Sequence, residues 1–427
     1  MNRFTFRFLL GITFFAGLMT GCSNDDETPY PKPKPVEEPT PKPEPMVIKE
    51  RMDISLTPQQ KEGVMLQNDF AFRLFNEDKK GNSSNSLISP LSLTMCLSMA
   101  ANGASEEVRN EIVDNLLPGG GSLDELNSLN KYLVESLSDV DNSSILTLAN
   151  SAWVDRKFTL LSPFSESIRE YYNAESASLN MYSGEATDRI NEWVNSTTNG
   201  LIPQLFTTAP ACDLTLINTM YFNGAWWDPF EEKYTDKGMF SNENGSRKEV
   251  DFMNKYNPFN IAITSDYSVL QLPYGNKAFS FYALMPSEGH TLDLTAEKWD
   301  EIKNGMCFQE VIISMPKFET EYNVSDMQRK MESAGISKLF NSGDALINTV
   351  SPTALGGDLS MVHKTVFKVN EIGAEGAGLT AAFWCTAALD GGETPKTPEI
   401  ILNRPFIYIV EEQSTGAILF IGAIRNL

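Results

Sequence analysis

Few residues of this 427-residue chain have the type and spacing that enzyme or metal chemistry needs. The chain contains two histidines, His290 and His363, and five cysteines. Neither histidine belongs to an HExxH zinc motif, and no two cysteines have the CxxC spacing of a metal or redox site. A Ser-His-Asp hydrolase would need one of the two histidines, and no GxSxG turn accompanies either of them. The sequence therefore predicts that the protein is not an enzyme and holds no metal and no cofactor.

Composition and charge exclude two further classes of protein. Hydrophobic residues make up 41% of the chain, which is typical of globular proteins and not of disordered ones. The formal net charge is −22, with 56 acidic residues against 34 lysines and arginines. Because this charge repels the phosphates of nucleic acids, we expect no nucleic-acid partner.

The amino terminus has the pattern of an export signal. Arg3 and Arg7 precede an apolar run at residues 8–19, which is too short to span a bilayer core of ~30 Å as a helix. The Leu-Met-Thr-Gly-Cys sequence that follows ends at Cys22, which resembles the lipidated cysteine of bacterial lipoproteins. The acidic run at residues 23–27 resembles the export tag of surface lipoproteins in Bacteroidetes-type bacteria. We therefore expect a lipoprotein anchored to the outer membrane through Cys22 and facing outward, with the periplasmic face as the alternative.

A proline-rich segment separates this signal from the rest of the chain. Residues 29–45 contain eight prolines, which favour an extended polyproline II conformation and lack the N–H groups that helices and sheets use. No second proline-rich seam and no repeat interrupts the sequence that follows. We therefore divide the chain into a signal peptide at residues 1–21, an acidic and proline-rich tether at 22–45, and one folded domain at 46–427.

The first half of the folded domain has helical patterns. Thr57 and Ser89 each stand directly before a proline, as an N-cap does before the first residue of a helix. Residues 91–101 are apolar on nearly every side, which predicts a helix that is buried all round. Further helical patterns cover residues 123–137, 164–172 and 186–195.

The second half of the domain has the patterns of strands. Apolar and β-branched runs bounded by Pro, Gly and Asn predict strands at residues 214–222, 279–285, 311–318, 400–411 and 417–424. A hairpin-length loop at residues 412–416 joins the last two runs. Helices combined with mostly antiparallel strands predict an α+β domain.

Five short segments follow one another in an order that points to a known family. They are NSLISPLS at residues 85–92, INEWVNSTTNGLI at 190–202, NTMYFNGAWWDPF at 218–230, NRPF at 403–406 and GAILFIG at 416–422. Together they resemble the signature segments of the serpin family across residues 60–427. The third segment departs from the family's pattern at Asn223, where lysine is usual.

The resemblance implies both a fold and a mechanism. A serpin has about eight or nine helices, three β-sheets and an exposed reactive-centre loop. A protease cleaves this loop, which then inserts as a new strand into the main sheet and distorts the covalent acyl-enzyme before it hydrolyses. The resemblance therefore implies a monomer that inhibits serine proteases irreversibly, as a suicide substrate.

Insertion imposes a condition on the loop sequence, because alternate side chains of a strand share one face. The segment that matches the family's hinge comprises Glu371, Gly373, Ala374, Glu375, Gly376, Ala377, Gly378, Leu379 and Thr380. The even-numbered positions from Ala374 to Ala382 are all small, so this face could slide over a packed core while the charged Glu375 stays in solvent. Gly376 and Leu379 depart from the residues that are commoner there.

The family's usual spacing places the scissile bond fourteen residues after Gly373, between Ala387 and Ala388. The bonds after Thr386 and after Ala388 are alternatives, because such loops vary by a residue. A small apolar residue at the bond suits a shallow primary pocket, so elastase-like serine proteases are the expected targets, with papain-like proteases left open. Lys396 would suit trypsin-like proteases, but it lies nine residues farther along and would leave too long an inserted strand.

The resemblance also assigns residues that control insertion and do no chemistry. Ser89, Ser92, Asn218 and His363 match the shutter, which is the polar cluster under the main sheet. Trp226 matches the tryptophan of the breach, where the loop first enters the sheet. A lone histidine in a β-rich segment is more often a structural residue than a catalyst, and we interpret His363 in this way.

The main alternative is a non-inhibitory serpin that acts as a binding or carrier surface. A carrier need not keep one face of residues 374–382 small, so the composition of the hinge favours the inhibitor. A hydrolase is a distant third, because no nucleophile and base are paired in the sequence.

Overall fold

The structure is a computed structural model that describes residues 48–80, 83–117, 119–323, 327–341, 345–351, 359–361, 363–374 and 397–427. The signal peptide, Cys22 and the proline-rich tether lie outside these residues. The hinge residues 375–380 and the predicted scissile bond between Ala387 and Ala388 also lie outside them.

Nine α-helices lie in the described part of the chain, six of them before residue 200. They are α1 (Pro58–Lys79), α2 (Pro90–Gly103), α3 (Glu106–Leu116), α4 (Leu123–Leu137), α5 (Ser162–Tyr172), α6 (Gly184–Thr197), α7 (Ala296–Asn304), α8 (Met327–Ser333) and α9 (Lys338–Asn341). A short 3-10 helix covers Glu232–Tyr234.

The described strands lie on both sides of residue 200, with most in the second half. They are β1 (Ser86–Ile88), β2 (Ser144–Asp155), β3 (Thr159–Leu160), β4 (Glu175–Leu179), β5 (Leu214–Ala225), β6 (Thr235–Ser241), β7 (Arg247–Ile263), β8 (Tyr267–Pro273), β9 (Phe279–Pro286), β10 (Cys307–Pro316), β11 (Phe318–Asn323), β12 (Val350–Ser351), β13 (Leu359–Met361), β14 (Lys364–Val369), β15 (Gly373–Ala374), β16 (Glu399–Ile401), β17 (Phe406–Glu412) and β18 (Ile418–Ile424).

Local sequence explains where the first helices begin. Thr57 caps α1, since its hydroxyl accepts the Gln60 N–H (3.2 Å) and the Gln60 side chain accepts the Thr57 N–H (2.9 Å). Ser89 caps α2 by accepting the Ser92 N–H (3.4 Å). A proline follows each cap, where its missing N–H would have no partner within the helix. Helix α2 is buried along nearly its whole length, as its composition predicts.

The strands form one nine-stranded sheet, one five-stranded sheet and two two-stranded sheets among the described residues. The nine-stranded sheet has the order β1-β18-β17-β9-β8-β7-β10-β16, with β6 also paired to β7. The five-stranded sheet has the order β13-β5-β2-β4, with β15 also paired to β5. Strand β11 pairs with β14, and β12 pairs with β3. Most pairs are antiparallel, and the predicted α+β class is confirmed.

Two of the runs predicted as single strands each contain two strands. The run at 311–318 divides after Pro316, because β10 belongs to the nine-stranded sheet whereas β11 pairs with β14. The run at 400–411 divides before Phe406, because β16 pairs with β10 and β17 pairs with β9 and β18. Pro405 stands in the second break and has no N–H to donate to a ladder.

Strand β5 is the central strand of the five-stranded sheet. One of its edges pairs antiparallel with β2 from Leu214 to Gly224. The other edge pairs near its two ends, in parallel with β13 at residues 214–216 and antiparallel with β15 at residues 224–225. On this second edge, no described residue pairs with residues 217–223 of β5.

The two faces of β5 pack against different helices. Asn218 contacts Ser92 of α2, and the Ser89 hydroxyl at the start of α2 donates a hydrogen bond to the sulfur of Met220 (3.4 Å). Residues with odd numbers face the other way, where Ile217 packs in a cluster with Trp193 of α6. The five-stranded sheet is therefore covered by the buried helix α2 on one face and by α6 on the other.

Candidate functional site

The C-terminal end of β5, which we call its upper end, contacts the segment of chain that leads into the hinge. The Trp226 N–H donates to the carbonyl of Ile372 (2.8 Å), and its indole N–H donates to the carbonyl of Asn370 (2.9 Å). The indole is buried and stacks on Tyr274 with ring centroids 4.5 Å apart. The Phe230 N–H donates to the carbonyl of Glu371 (2.8 Å). Three hydrogen bonds, to the carbonyls of three successive residues, therefore fix the backbone just before Gly373 against the end of β5.

Glu371 anchors this end of the site through its side chain. One carboxylate oxygen accepts the Thr235 hydroxyl (2.9 Å), and the other lies 3.0 Å from the ammonium of Lys317. Burial alone would raise the pKa of Glu371, but the hydrogen bonds from Lys317, from its own backbone and from Thr235 outweigh burial and hold this pKa below its usual range. The carboxylate is therefore charged at neutral pH and ties the hinge to β6 and to the start of β11.

Gly373 occupies a position that no other residue fits. Its φ angle is +153°, which L-residues rarely adopt, and a Cβ atom there would lie 2.1 Å from the carbonyl oxygen of Gly224. The close approach arises because Gly373 pairs directly with Ala225, and the next residue, Ala374, pairs with Gly224. The hinge therefore begins as a strand on the edge of β5.

A second polar cluster lies between β5 and α2. The Ser89 N–H donates to Nε2 of His363 (3.0 Å), so the N-terminus of α2 is tied to the residue between β13 and β14. The Ser92 hydroxyl donates to Oδ1 of Asn218. The Asn218 amide donates in turn to Oδ1 of Asn150 on β2 (2.7 Å). The structure thus brings the four predicted shutter residues together at the point where β13 leaves β5.

The protonation state of His363 follows from this environment. His363 is 4% exposed, and burial lowers its pKa to about 3. A neutral Nε2 is also what the Ser89 N–H requires as an acceptor. Burial likewise raises the pKa of the neighbouring Cys96 thiol to about 12, which removes its nucleophilic character. The cluster is therefore uncharged at neutral pH and is built for packing and hydrogen bonding, not for acid–base chemistry.

Sequence reasoning missed several partners in both clusters. Asn150 completes the chain of amides by donating to the carbonyl of Tyr172 (2.8 Å), and Lys317 and Thr235 hold Glu371. Asn150 is a polar residue inside an apolar strand run, and that pattern could have identified it. Lys317 and Thr235 carry no such signal, because they approach Glu371 from 54 and 136 residues away in the chain.

The described part of the chain contains no candidate metal site and no helix that could span a membrane. No group of three or more His, Cys, Asp or Glu side chains in it is arranged to hold a metal ion. None of its helices combines the length and hydropathy that a membrane-spanning helix requires. The remaining predicted residues, which are Cys22, hinge residues 375–380, Ala387 and Ala388, lie outside the described residues and stay predictions.

Comparison with known proteins identifies a family. Residues 65–427 match the family model described as serpin, or serine protease inhibitor. Serpin-Z10 of Arabidopsis thaliana is 30% identical over 368 residues, which cover 81% of this chain and 92% of that protein. An uncharacterized serpin-like protein of Thermococcus kodakarensis, TK1782, is 28% identical over 435 residues, which cover 98% of this chain and 99% of that protein.

Solved structures show the same similarity. The thermophilic serpin tengpin in its native state matches with a TM-score of 0.75 at 28% identity, covering 89% of this chain and 98% of tengpin. Thyroxine-binding globulin in complex with thyroxine matches with a TM-score of 0.74 at 22% identity, covering 85% of this chain and 98% of that one. At 22% identity, the second match shows a shared fold alone.

Substituting His363 should change how stability depends on pH. Because the pKa of His363 is about 3 in the folded protein and 6.5 in the unfolded chain, its contribution is complete above pH 6.5 and is lost as the pH falls toward 3. The loss has a limiting slope of about 1.4 kcal/mol per pH unit. Urea unfolding followed by tryptophan fluorescence at pH 7.0, 5.5 and 4.5 should therefore show a smaller acid loss for His363→Asn than for the wild type.

The chain contains one other histidine, which provides the matched control. His290→Asn removes a histidine whose side chain is 49% exposed and leaves the His363 cluster intact, so its acid loss should stay larger than that of His363→Asn. Equal pH slopes for the wild type and His363→Asn would show that His363 is not held neutral by burial.

Removing the Glu371 carboxylate should loosen the hinge. We expect Glu371→Ala to lower the free energy of unfolding by about 1–2 kcal/mol, because a buried charged hydrogen-bond acceptor is lost while Lys317, 39% exposed, can be rehydrated. Amide hydrogen exchange at Trp226 and Phe230 should accelerate, because both N–H groups donate to carbonyls beside Glu371.

The nearby Glu319–Lys368 pair serves as the control for Glu371→Ala. Its side chains are 57% and 37% exposed, so Glu319→Ala should cost less than about 0.5 kcal/mol and leave both amides protected. Unchanged exchange at Trp226 and Phe230 in Glu371→Ala would contradict the anchoring role of Glu371.

Proposed function

Because the chain belongs to the serpin family of serine protease inhibitors, we propose that it inhibits its target irreversibly. It would do so by inserting its cleaved reactive loop into the five-stranded sheet, which contains β5. The observation that carries the proposal is the register of β15 on β5. Gly373 and Ala374 pair antiparallel with Ala225 and Gly224, so the hinge has already entered the sheet by two residues.

Continuing this register predicts the path of the inserted strand. As the residue number rises by one along the hinge, the number of its partner on β5 falls by one. This register puts Glu375 opposite Asn223 and Thr380 opposite Asn218. These positions belong to the edge at residues 217–223, with which no described residue pairs. Residues from 382 onward would meet residues 214–216 of β5, so complete insertion requires β13 to separate from β5.

The two faces of β5 support the predicted orientation of the loop. Residues directly opposite each other in an antiparallel pair share a face. The even-numbered loop residues from Ala374 to Thr380 would therefore join Asn218 and Met220 on the face toward α2. This is the small-residue face, which meets a packed interior, whereas Glu375 would lie beside Asn223 on the opposite face.

Insertion supplies the free energy that inhibition needs. A strand paired on both edges makes up to two backbone hydrogen bonds per residue, each worth about 1 kcal/mol net, so ten inserted residues gain up to about 20 kcal/mol before the lost β13–β5 pairs are subtracted. That gain is available only after the loop is cut, because an uncut loop remains held at residues 398–401 by β10. Cleavage therefore triggers the transition.

The target class follows from the loop sequence. We place the scissile bond between Ala387 and Ala388, and alanine at this position suits the shallow primary pocket of an elastase-like serine protease. The net charge of −22 would steer a cationic protease toward the inhibitor, with an association rate that falls as salt is added.

We also propose that the inhibitor works at a cell surface as a lipoprotein. The support is the sequence of residues 1–45, in which an apolar signal ends at Gly21-Cys22 and a proline-rich segment follows. The tether would hold the domain tens of ångströms from the outer membrane, within reach of proteases arriving from outside.

A carrier function is the second candidate, and a cleft in the nine-stranded sheet favours it. The cleft has a volume of about 540 Å³ and is lined by aromatic, amide and charged side chains that include Trp227, Tyr282, Gln271 and Lys303. The fold is shared with thyroxine-binding globulin, whose complex with thyroxine shows that one protein of this fold binds a small molecule. A carrier would gain no stability when its loop is cut.

The inhibitory mechanism predicts a covalent complex with pancreatic elastase. On a denaturing gel, a soluble form starting near Met46 should give a band at the mass of elastase plus the inhibitor up to Ala387. Mass spectrometry should find the released peptide that begins at Ala388. Cleaved protein should melt at a higher temperature than uncut protein, because the inserted strand completes the sheet. Complete cleavage with free active elastase and no rise in melting temperature would favour the carrier.

Two loop variants separate insertion from simple cleavage. Ala374 is 2% exposed on the face toward the core, so Ala374→Arg should raise the number of inhibitor molecules consumed per elastase at least tenfold while cleavage continues. Glu375→Arg adds the same side chain on the opposite face and should stay near the wild-type stoichiometry. Equal stoichiometries for the two variants would contradict insertion in this register.

The lipoprotein proposal predicts that Cys22→Ser releases the protein from membranes. In cells fed radiolabelled palmitate, the wild type should carry label and partition into detergent, whereas Cys22→Ser should do neither. Cys385→Ser is the matched control and should behave as the wild type does. Label that persists in Cys22→Ser would rule out anchoring at this residue.

A further inference from the structure

Two methionine sulfurs take part in the polar cluster between β5 and α2. The Ser89 hydroxyl donates to Sδ of Met220 (3.4 Å), and the Asn218 amide donates to Sδ of Met95 (3.8 Å). The same Ser89 hydroxyl accepts the Ser92 N–H and so caps α2 (3.4 Å). A thioether accepts hydrogen bonds only weakly, and it can be oxidised, unlike the hydroxyl and amide groups that surround it here.

Met220 is the more accessible of these two methionines. It is 8% exposed, whereas Met95 is 0% exposed. Among the buried methionines that the structure describes, Met285 has the same exposure as Met220, and the other six are 0% exposed. Met220 also lies in the middle of residues 217–223 of β5, whose second edge pairs with no described residue. Of the two methionine sulfurs in the cluster, a small oxidant in solution therefore reaches that of Met220 first.

Hydrogen peroxide converts a thioether into a sulfoxide by transferring one oxygen atom. The Met220 sulfur attacks one oxygen of the peroxide, so that the O–O bond breaks and an S–O bond forms. The transferred oxygen gives its proton to the departing hydroxide, which leaves as water. The sulfur loses two electrons and the peroxide gains them, so no further reactant is needed.

The added oxygen would disturb a packed position at the start of α2. Oxidation makes an apolar side chain polar and adds a heavy atom to it, and both changes are unfavourable in a buried site unless its neighbours move apart. The neighbour in contact with the Met220 sulfur is Ser89, which caps α2 and whose N–H binds His363. A displaced Ser89 would therefore weaken the contacts that hold α2 against β5 and against the junction of β13 and β14.

We propose that Met220 is an oxidation site through which peroxides inactivate this protein. Oxygen transfer to its sulfur loosens the cluster at the start of α2 and lowers the stability of the uncut protein. It also raises the fraction of loop cleavages that fail to trap the protease, because Met220 lies on the face of β5 that the inserted strand would share. The loss of stability is independent of the proposed function, whereas the loss of trapping rests on that function and adds a regulatory site to it.

The test compares methionine-to-leucine variants before and after graded treatment with hydrogen peroxide. It uses the soluble form that starts near Met46, since Pro45–Leu427 is one compact unit. Met220→Leu removes the sulfur and nearly conserves the side-chain volume, and Met285→Leu does the same at the equally exposed position on β9. Mass spectrometry of peptides gives the oxidised fraction of each methionine, and Met239, which is 49% exposed, shows that the dose was effective.

Oxidation of Met220 should have two measurable effects. As the Met220 peptide of the wild type gains the mass of one oxygen atom, the melting temperature should fall by about 3 °C. The number of inhibitor molecules consumed per elastase should rise roughly threefold, because more cleaved loops fail to insert. Met285→Leu should show both effects, whereas Met220→Leu should keep its own untreated values at every dose.

Other outcomes would contradict particular parts of the proposal. If Met220 stays unoxidised at a dose that oxidises Met239 completely, it is not an oxidation site. Equal falls in melting temperature for the wild type and Met220→Leu would assign the effect of peroxide to a different methionine. An oxidised Met220 with an unchanged inhibitor-to-elastase ratio would contradict its effect on trapping. If the untreated wild type traps no elastase, the proposed function fails, and the melting temperatures still decide whether oxidation of Met220 destabilises the protein.

Discussion

The pairing of β5, which is incomplete among the described residues, is the constraint on which the rest of this structure depends. A central strand normally satisfies its backbone groups on both edges, because unpaired N–H and C=O groups are costly when they are buried. One edge of β5 pairs with β2 along almost its whole length. The described partners of its other edge, β13 and β15, cover only the two ends. The features assigned to inhibition are arranged around this edge.

The two polar clusters control the two ends of that edge. At the upper end, Trp226 and Glu371 hold the backbone that leads into Gly373, so the first paired residues of the hinge have a defined register. At the lower end, His363 ties the junction of β13 and β14 to the N-terminus of α2. The upper cluster contains a charged carboxylate and the lower cluster is neutral, in keeping with their burial. Under the proposed mechanism, a strand that enters beside residues 224–225 of β5 would reach the lower cluster late, and β13 would have to separate from residues 214–216 of β5.

The proposed mechanism requires no catalytic residues in the inhibitor, which agrees with the lack of a catalytic motif in the sequence. In the proposed mechanism, the bond-breaking steps belong to the attacked protease, and this protein contributes a loop, a sheet edge and a set of contacts that hold them. The residues that matter most are accordingly a glycine that approaches Gly224, small residues on one face of a loop, and buried amides. A search for catalytic residues would not identify any of these side chains.

Much of the fold could be predicted from local sequence, since its signals are local. The caps at Thr57 and Ser89 placed the first two helices, and α4 was predicted over its observed span, Leu123–Leu137. The divisions at Pro316 and before Phe406 could not be predicted, because an apolar run does not reveal with which strands each of its halves will pair. Asn150, Thr235 and Lys317 were missed for a related reason, since their partners are far away in the chain.

The sequence alone determined the family resemblance, the small-residue face of the hinge and the absence of metal or nucleophile motifs, because these are properties of residue type and spacing. Only the tertiary structure decided that Gly373 and Ala374 already pair with β5, that Glu371 meets Lys317, and that His363 is neutral beneath the sheet. Register, ion pairing and burial depend on groups brought together across long stretches of chain, and the free energy of those contacts exists only once the chain has folded.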